Sequence, residues 1–136
     1  MSEALIQRYY AAFNAGDWAG MLDCLTPDVI HDINQGPREH GREAFRAFLA
    51  RMERSYRERV EDLVVMTSAD GLNASAEFTI NGAYLVADEG LPPASGQPYV
   101  LPVGAFFAIR DGKISRVTNY YNLENWLSQV RRRLEA

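Results

Sequence analysis

Behind Ser2, a helix-capping residue, Leu5, Ile6, Tyr9, Ala12 and Phe13 recur at three- and four-residue intervals until Asn14-Ala15-Gly16 interrupts them. That spacing predicts an amphipathic helix. Asp17 can cap a second, shorter helix that carries Trp18, Met21, Leu22, Cys24 and Leu25 and stops at Thr26-Pro27. VIHDI then reads as a short strand, followed by a loop with Gly and Pro up to Gly41. From about Arg42 to Arg57 the apolar positions Ala44, Phe45, Phe48, Leu49, Met52 and Tyr56 fall on one side, with Arg and Glu opposite, which predicts the longest helix.

The pattern then shortens to a period of two. LVVMTS and NASAEFTINGAYLV flank Ala69-Asp70-Gly71-Leu72, a hairpin signal. In the second of these strands Ala74, Ala76, Phe78 and Ile80 alternate with Asn73, Ser75, Glu77 and Thr79, so one face is expected to be buried and the other wet; Gly82 is expected to mark a bulge or bend. The stretch 87–98 contains three prolines and two glycines and predicts a long connection, a lid or an interface arm. A second hairpin, YVLPVGAFFAI and ISRVTNYYNL around Arg110-Asp111-Gly112-Lys113, precedes a helix over ENWLSQVRRRLEA. The expected fold is therefore α+β: a curved antiparallel sheet curled around the N-terminal helices into a cone with an apolar interior, in one domain spanning 1–136.

Composition narrows the function classes. With 136 residues, 47% apolar and 24% charged, the chain can bury a core without metal or disulfide. A net charge of −4, with basic residues dispersed until Arg131-Arg132-Arg133, argues against nucleic acid. The lone Cys24, the start MSEALIQRYY and the lack of a long apolar run lead to the expectation of a soluble, cytoplasmic protein with no membrane partner. No serine-hydrolase elbow or phosphate loop is present.

The segment HDINQGPREHG holds both histidines, His31 and His40, with Asp32 and Glu39. Its spacing matches no usual zinc pattern, and neighbours on a strand point apart, so solvated loop side chains are expected rather than a metal site. Alternation puts Ile30 and Asp32 on one strand face and Val29, His31 and Ile33 on the other. Cys24 is expected to be an inert buried thiol.

QRYYAAFNAGD, HDINQGPREHG and YVLPVGAFFAIRDGKISRVTNYY, taken in order, resemble the nuclear transport factor 2-like superfamily, and within it ketosteroid isomerase-related and SnoaL-like proteins. That resemblance implies a pocket for a small, apolar, steroid- or polyketide-like molecule, a homodimer, no cofactor, and isomerisation or cyclisation through proton abstraction next to a carbonyl. It aligns Asp32 with the base and Tyr9 with the tyrosine of the oxyanion hole. The second acid of that hole aligns with Gly104, which has no side chain to donate a hydrogen bond.

Counting back from a two-residue turn at Asp111-Gly112 pairs Phe106 with Val117 and Gly104 with Asn119. Gly104, Phe106, Val117, Asn119 and Tyr121 would then share the inner face, with Asn119 as the replacement donor. Trp18, Phe48 and Met52 are further expected wall residues. The same fold also hosts binding modules without chemistry, which the glycine at 104 favours, and epoxide hydrolases, which combine two aspartates with an arginine where this chain offers Asp32 alone.

Overall fold

The computed structural model describes residues 2–135, with side chains described through Arg132. Helix α1 (Ser2–Ala15) ends at Gly16, whose φ of 68° suits a residue without Cβ, and α2 (Trp18–Asp23) begins where the Asp17 carboxylate accepts from the Gly20 amide. Cys24 caps α2 rather than lying inside it, because β1 (Leu25–Asp32) starts at once and runs through Pro27. Its thiol is buried and faces the Gly20 carbonyl oxygen at 3.4 Å.

A short strand within the expected loop, β2 (Arg38–His40), pairs antiparallel with β1. Helix α3 (Arg42–Ser55) follows, and β3 (Tyr56–Thr67) begins directly at its end, seven residues before the LVVMTS stretch. β4 (Asn73–Tyr84), β5 (Gln97–Arg110), β6 (Lys113–Tyr121) and α4 (Leu123–Glu135) complete the chain.

The six strands form one curved, unclosed sheet in the order β2-β1-β6-β5-β4-β3. β3 to β6 are antiparallel neighbours, whereas β1 lies parallel to β6, so the sheet is mixed. Parallel pairing follows from the topology: β1 reaches β6 only after α3 and four strands, β2 to β5, have intervened.

Two side-chain amides take the place of missing strands. β3 is an edge, and Asn14 of α1 donates to the Val60 carbonyl at 2.9 Å and accepts from the Val60 amide at 2.8 Å. β5 outruns β6 at its start, and Gln129 of α4 brackets Val100 in the same way, at 2.8 and 2.9 Å. Both satisfy backbone groups that would otherwise be open to another chain. Between these anchors, Tyr9 and Tyr10 pack edge-on against the fully buried Phe107, while Trp126 of α4 packs against Tyr84 and Tyr99.

Candidate active site

α1, α3 and the concave sheet enclose a cavity of about 540 Å³, within the range of small-molecule sites. Apolar side chains such as Phe45, Phe78 and Leu101 dominate its wall, and His31, Asn119, Glu58 and Asp88 supply polar groups. The 85–96 connection covers part of it. Tyr84 receives the Asp88 amide at 3.0 Å and donates to the Pro92 carbonyl at 2.7 Å, which holds Asp88 and Leu91 at the wall.

His31 occupies the inner face of β1, 2% exposed, beside the fully buried Val29. Phe45 lies against the ring at 4.5 Å between centroids and Phe48 meets it edge-on at 4.6 Å. Burial among these groups pulls the imidazole pKa from 6.5 down to about 4; Asp32 opposes the fall and Arg51 assists it. The ring is therefore neutral at pH 7. Asn119, across from β1 on β6, brings its amide nitrogen to 3.4 Å from His31 Nε2. A neutral imidazole that accepts at Nε2 carries its proton on Nδ1, which is buried and has no partner among the described residues.

The expected position of Asp32 is corrected. Its separation from His31 follows the alternation, but the cavity face is the one with Val29 and His31. Asp32 is absent from the cavity wall and bonds on the outer face to Arg38, at 2.6 and 3.1 Å, and to the Thr118 hydroxyl at 2.6 Å. Arg38 chiefly, with Thr118 and Arg116, holds its pKa below the usual carboxylate range against the opposing effect of burial. A carboxylate so held is a poor proton acceptor. Because its folded pKa is depressed, its contribution is present at neutral pH and lost as pH falls through the folded value. Asp32→Asn is expected to lower stability at pH 7 by ~1 kcal/mol or less, since Arg38 is half exposed. Urea unfolding should show the difference shrinking below pH 4.

The hairpin register is also corrected. Ser115 is an extra residue on β6, so Ala108 pairs with Arg116 while Ile109 pairs with Ile114. Beyond this bulge each pairing moves by one: Asn119 faces Ala105, and Gly104 faces Tyr120. The expected face therefore splits. Asn119 and Tyr121 reach the cavity and Val117 is buried behind it, whereas Phe106, 47% exposed, and Gly104 lie on the outer face. Tyr9, Phe48 and Met52 line the cavity. Trp18 does not; it borders a second cavity of about 400 Å³ beside the α1–α2 turn.

Glu58 and Tyr99 escaped the sequence reading because RERVED looks like solvated surface. Tyr56, Glu58 and Val60 alternate with Arg57, Arg59 and Glu61, and that period of two was the available signal. Tyr99 donates to Glu58 Oε2 at 2.6 Å. Tyr56 donates to Asp88 at 3.0 Å. Among the described residues, no group of three or more His, Cys, Asp and Glu converges as a metal site, and no helix is long and apolar enough to cross a membrane.

Residues 6–117 match the family described as the SnoaL-like domain. A solved structure from Pseudomonas putida KT2440, provisionally named a polyketide cyclase, is 60% identical, with 96% of this chain and 98% of that one covered and a TM-score of 0.95. Proteins with the same provisional name from Xanthomonas campestris pv. campestris and Silicibacter sp. TM1040 are 57% and 51% identical. The alignments cover 95% of this chain in both cases and 96% and 94% of theirs, with TM-scores of 0.92 and 0.93. No curated protein matches the chain.

Proposed function

The chain belongs to the SnoaL-like domain family, and from that premise we propose that it is a cofactor-independent enzyme of the isomerase or cyclase type that removes a proton next to a carbonyl. Its substrate is a small, largely apolar, ring-bearing ketone of polyketide- or steroid-like character. The cyclase names of relatives at 51–60% identity and the apolar cavity support the class.

The observation that carries the mechanism is the neutral His31 imidazole beside the Asn119 amide on the cavity wall. A neutral imidazole polarises a carbonyl without having to give up a full proton, and donors aimed at a developing enolate stabilise the transition state more than the ground state. In this reading His31 and Asn119 hold the carbonyl oxygen. Tyr9 contributes a third donor: burial raises its hydroxyl pKa, so it stays protonated. The proton acceptor is a different group, because His31 is too weakly basic and Asp32 faces away.

The test uses 2-tetralone, a fused-ring ketone with acidic C–H bonds next to its carbonyl, in D2O. Protein-dependent replacement of those hydrogens by deuterium, followed by proton NMR, is expected to exceed the buffer rate. Binding of 2-tetralone with no acceleration would refute the enzyme and leave the second reading, a binding module without chemistry. Asp32 on the outer face and the bare Gly104 favour that second reading.

The proposed homodimer uses the outer sheet face. Phe106 packs edge-on against Tyr120, with Val100 also exposed, and Gly104 leaves a flat floor beside them. Phe106→Glu is expected to convert a dimer to a monomer in sedimentation velocity; an unchanged dimer would place the interface elsewhere.

A further inference from the structure

Glu58 is a carboxyl held on the cavity wall by a neutral donor. It projects from β3 on the cavity side, and Tyr99 reaches it across the whole width of β4: Glu58 pairs with Gly82 on one side of that strand, and Gly82 with Tyr99 on the other. The Tyr99 ring lies flat over Gly82, where a Cβ would come within 2.5 Å of it. Gly82 is thus no bulge but a regular strand position kept bare so that the tyrosine can hold the carboxyl.

The carboxyl stands on the wall shared by the main cavity and the second one. No ion pair among the described residues involves it. Burial raises its pKa and the Tyr99 hydrogen bond partly offsets the rise. Other titratable groups on these walls are Tyr56 with Asp88, Tyr9, Tyr10, Tyr121, His31, Glu39, Glu89 and Arg51 in the main cavity, and Glu53 and Arg57 in the second. The carboxyl is turned inward and held by a neutral hydroxyl.

Resting on the carbonyl-polarising reading above, we propose that Glu58 is the proton-transferring carboxyl of this cavity and that Tyr99 is its positioning residue. The Glu58 carboxylate takes the proton from the carbon next to the carbonyl: the C–H bond breaks, an O–H bond forms on Glu58, and the electron pair moves into the enolate whose oxygen His31 and Asn119 hold. The proton on Glu58 exchanges with solvent, and a hydron returns to the enolate carbon as the electron pair re-forms the carbon–hydrogen bond, a deuteron in D2O, so the step is balanced with no oxidant or co-reactant. A base of raised pKa suits this, because its greater proton affinity narrows the gap to the carbon acid it must deprotonate.

Two readouts on the full chain test this. The first is a carbon-13 NMR titration of the glutamate carboxyls with and without 2-naphthol, an aromatic mimic of the tetralone enol, the Glu58 signal being identified by its loss in Glu58→Gln. Glu58 is expected to titrate above an ordinary glutamate and to move when 2-naphthol binds. Tyr99→Phe should raise its pKa further, since the lost hydrogen bond favoured the charged form, and Gly82→Ala should act in the same direction by displacing the ring. The second is tetralone exchange, expected to fall ~10²–10⁴-fold in Glu58→Gln while 2-naphthol still binds. A Glu58 signal indifferent to 2-naphthol, or a Glu58→Gln variant that exchanges at the wild-type rate, would overturn the assignment and leave the function reading standing. No exchange in the wild type would overturn both.

Discussion

Replacing His31 with glutamine is expected to slow tetralone exchange by ~10²–10³-fold, the loss usual when one donor to a developing oxyanion is removed. Glutamine is close to histidine in volume and can place an amide near Asn119, so the Phe45–Phe48 pocket stays filled. The loss should therefore fall on the exchange step and not on 2-tetralone binding. Asn119→Leu should reproduce it in part, since the amide nitrogen 3.4 Å from Nε2 sets the tautomer and is itself the second proposed donor to the carbonyl. A His31→Gln variant with wild-type exchange would show that the imidazole only fills space.

The second large effect is on stability against acid. His31 titrates at 6.5 in an ordinary setting and at about 4 in the fold. Between those values the unfolded chain binds the proton and the folded one does not, so protonation pulls the equilibrium toward unfolding. The sign is that of a depressed folded pKa: stability is fully present above pH 6.5 and declines as pH falls toward 4. The decline is on the order of 3 kcal/mol, a large share of a typical domain's stability. Urea midpoints at pH 7 and pH 4.5 should differ more for the wild type than for His31→Gln. Equal differences would mean that the imidazole is hydrated when folded, and the neutral-electrophile role would fall with it.

The fold was legible in the sequence because its signals are local. The Leu5 to Phe13 stripe, the α3 stripe and the two Asp-Gly turns each specify an element through nearby residues, and the order of those elements leaves few ways to bury them. The site was less legible because it depends on which face of a strand turns inward. Alternation in VIHDI separated Asp32 from His31 correctly but carried no sign, and the resemblance supplied the opposite one. Packing decides it: Val29 is fully buried, and Arg38 on β2, a strand absent from the sequence reading, captures Asp32 outside.

The β6 register failed for a related reason. Ser115 has nothing in its chemistry to announce a bulge, yet this one extra residue sends Gly104 and Phe106 to the outer face while Asn119 still faces inward. Glu58 was hidden by its neighbours, since Arg57 and Arg59 give RERVED the look of surface. Only the long reach of Tyr99 over Gly82, a contact 41 residues apart in sequence, shows the carboxyl to be part of the cavity.

If His31 and Asn119 polarise a bound carbonyl, the carbonyl itself reports it. The carbon-13 shift of carbonyl-labelled 2-tetralone should move downfield on binding to the wild-type protein, beyond its value in water, and revert toward its value in an apolar solvent in His31→Gln. A bound carbonyl whose shift matches an apolar solvent in the wild type, or is the same in both proteins, would contradict it.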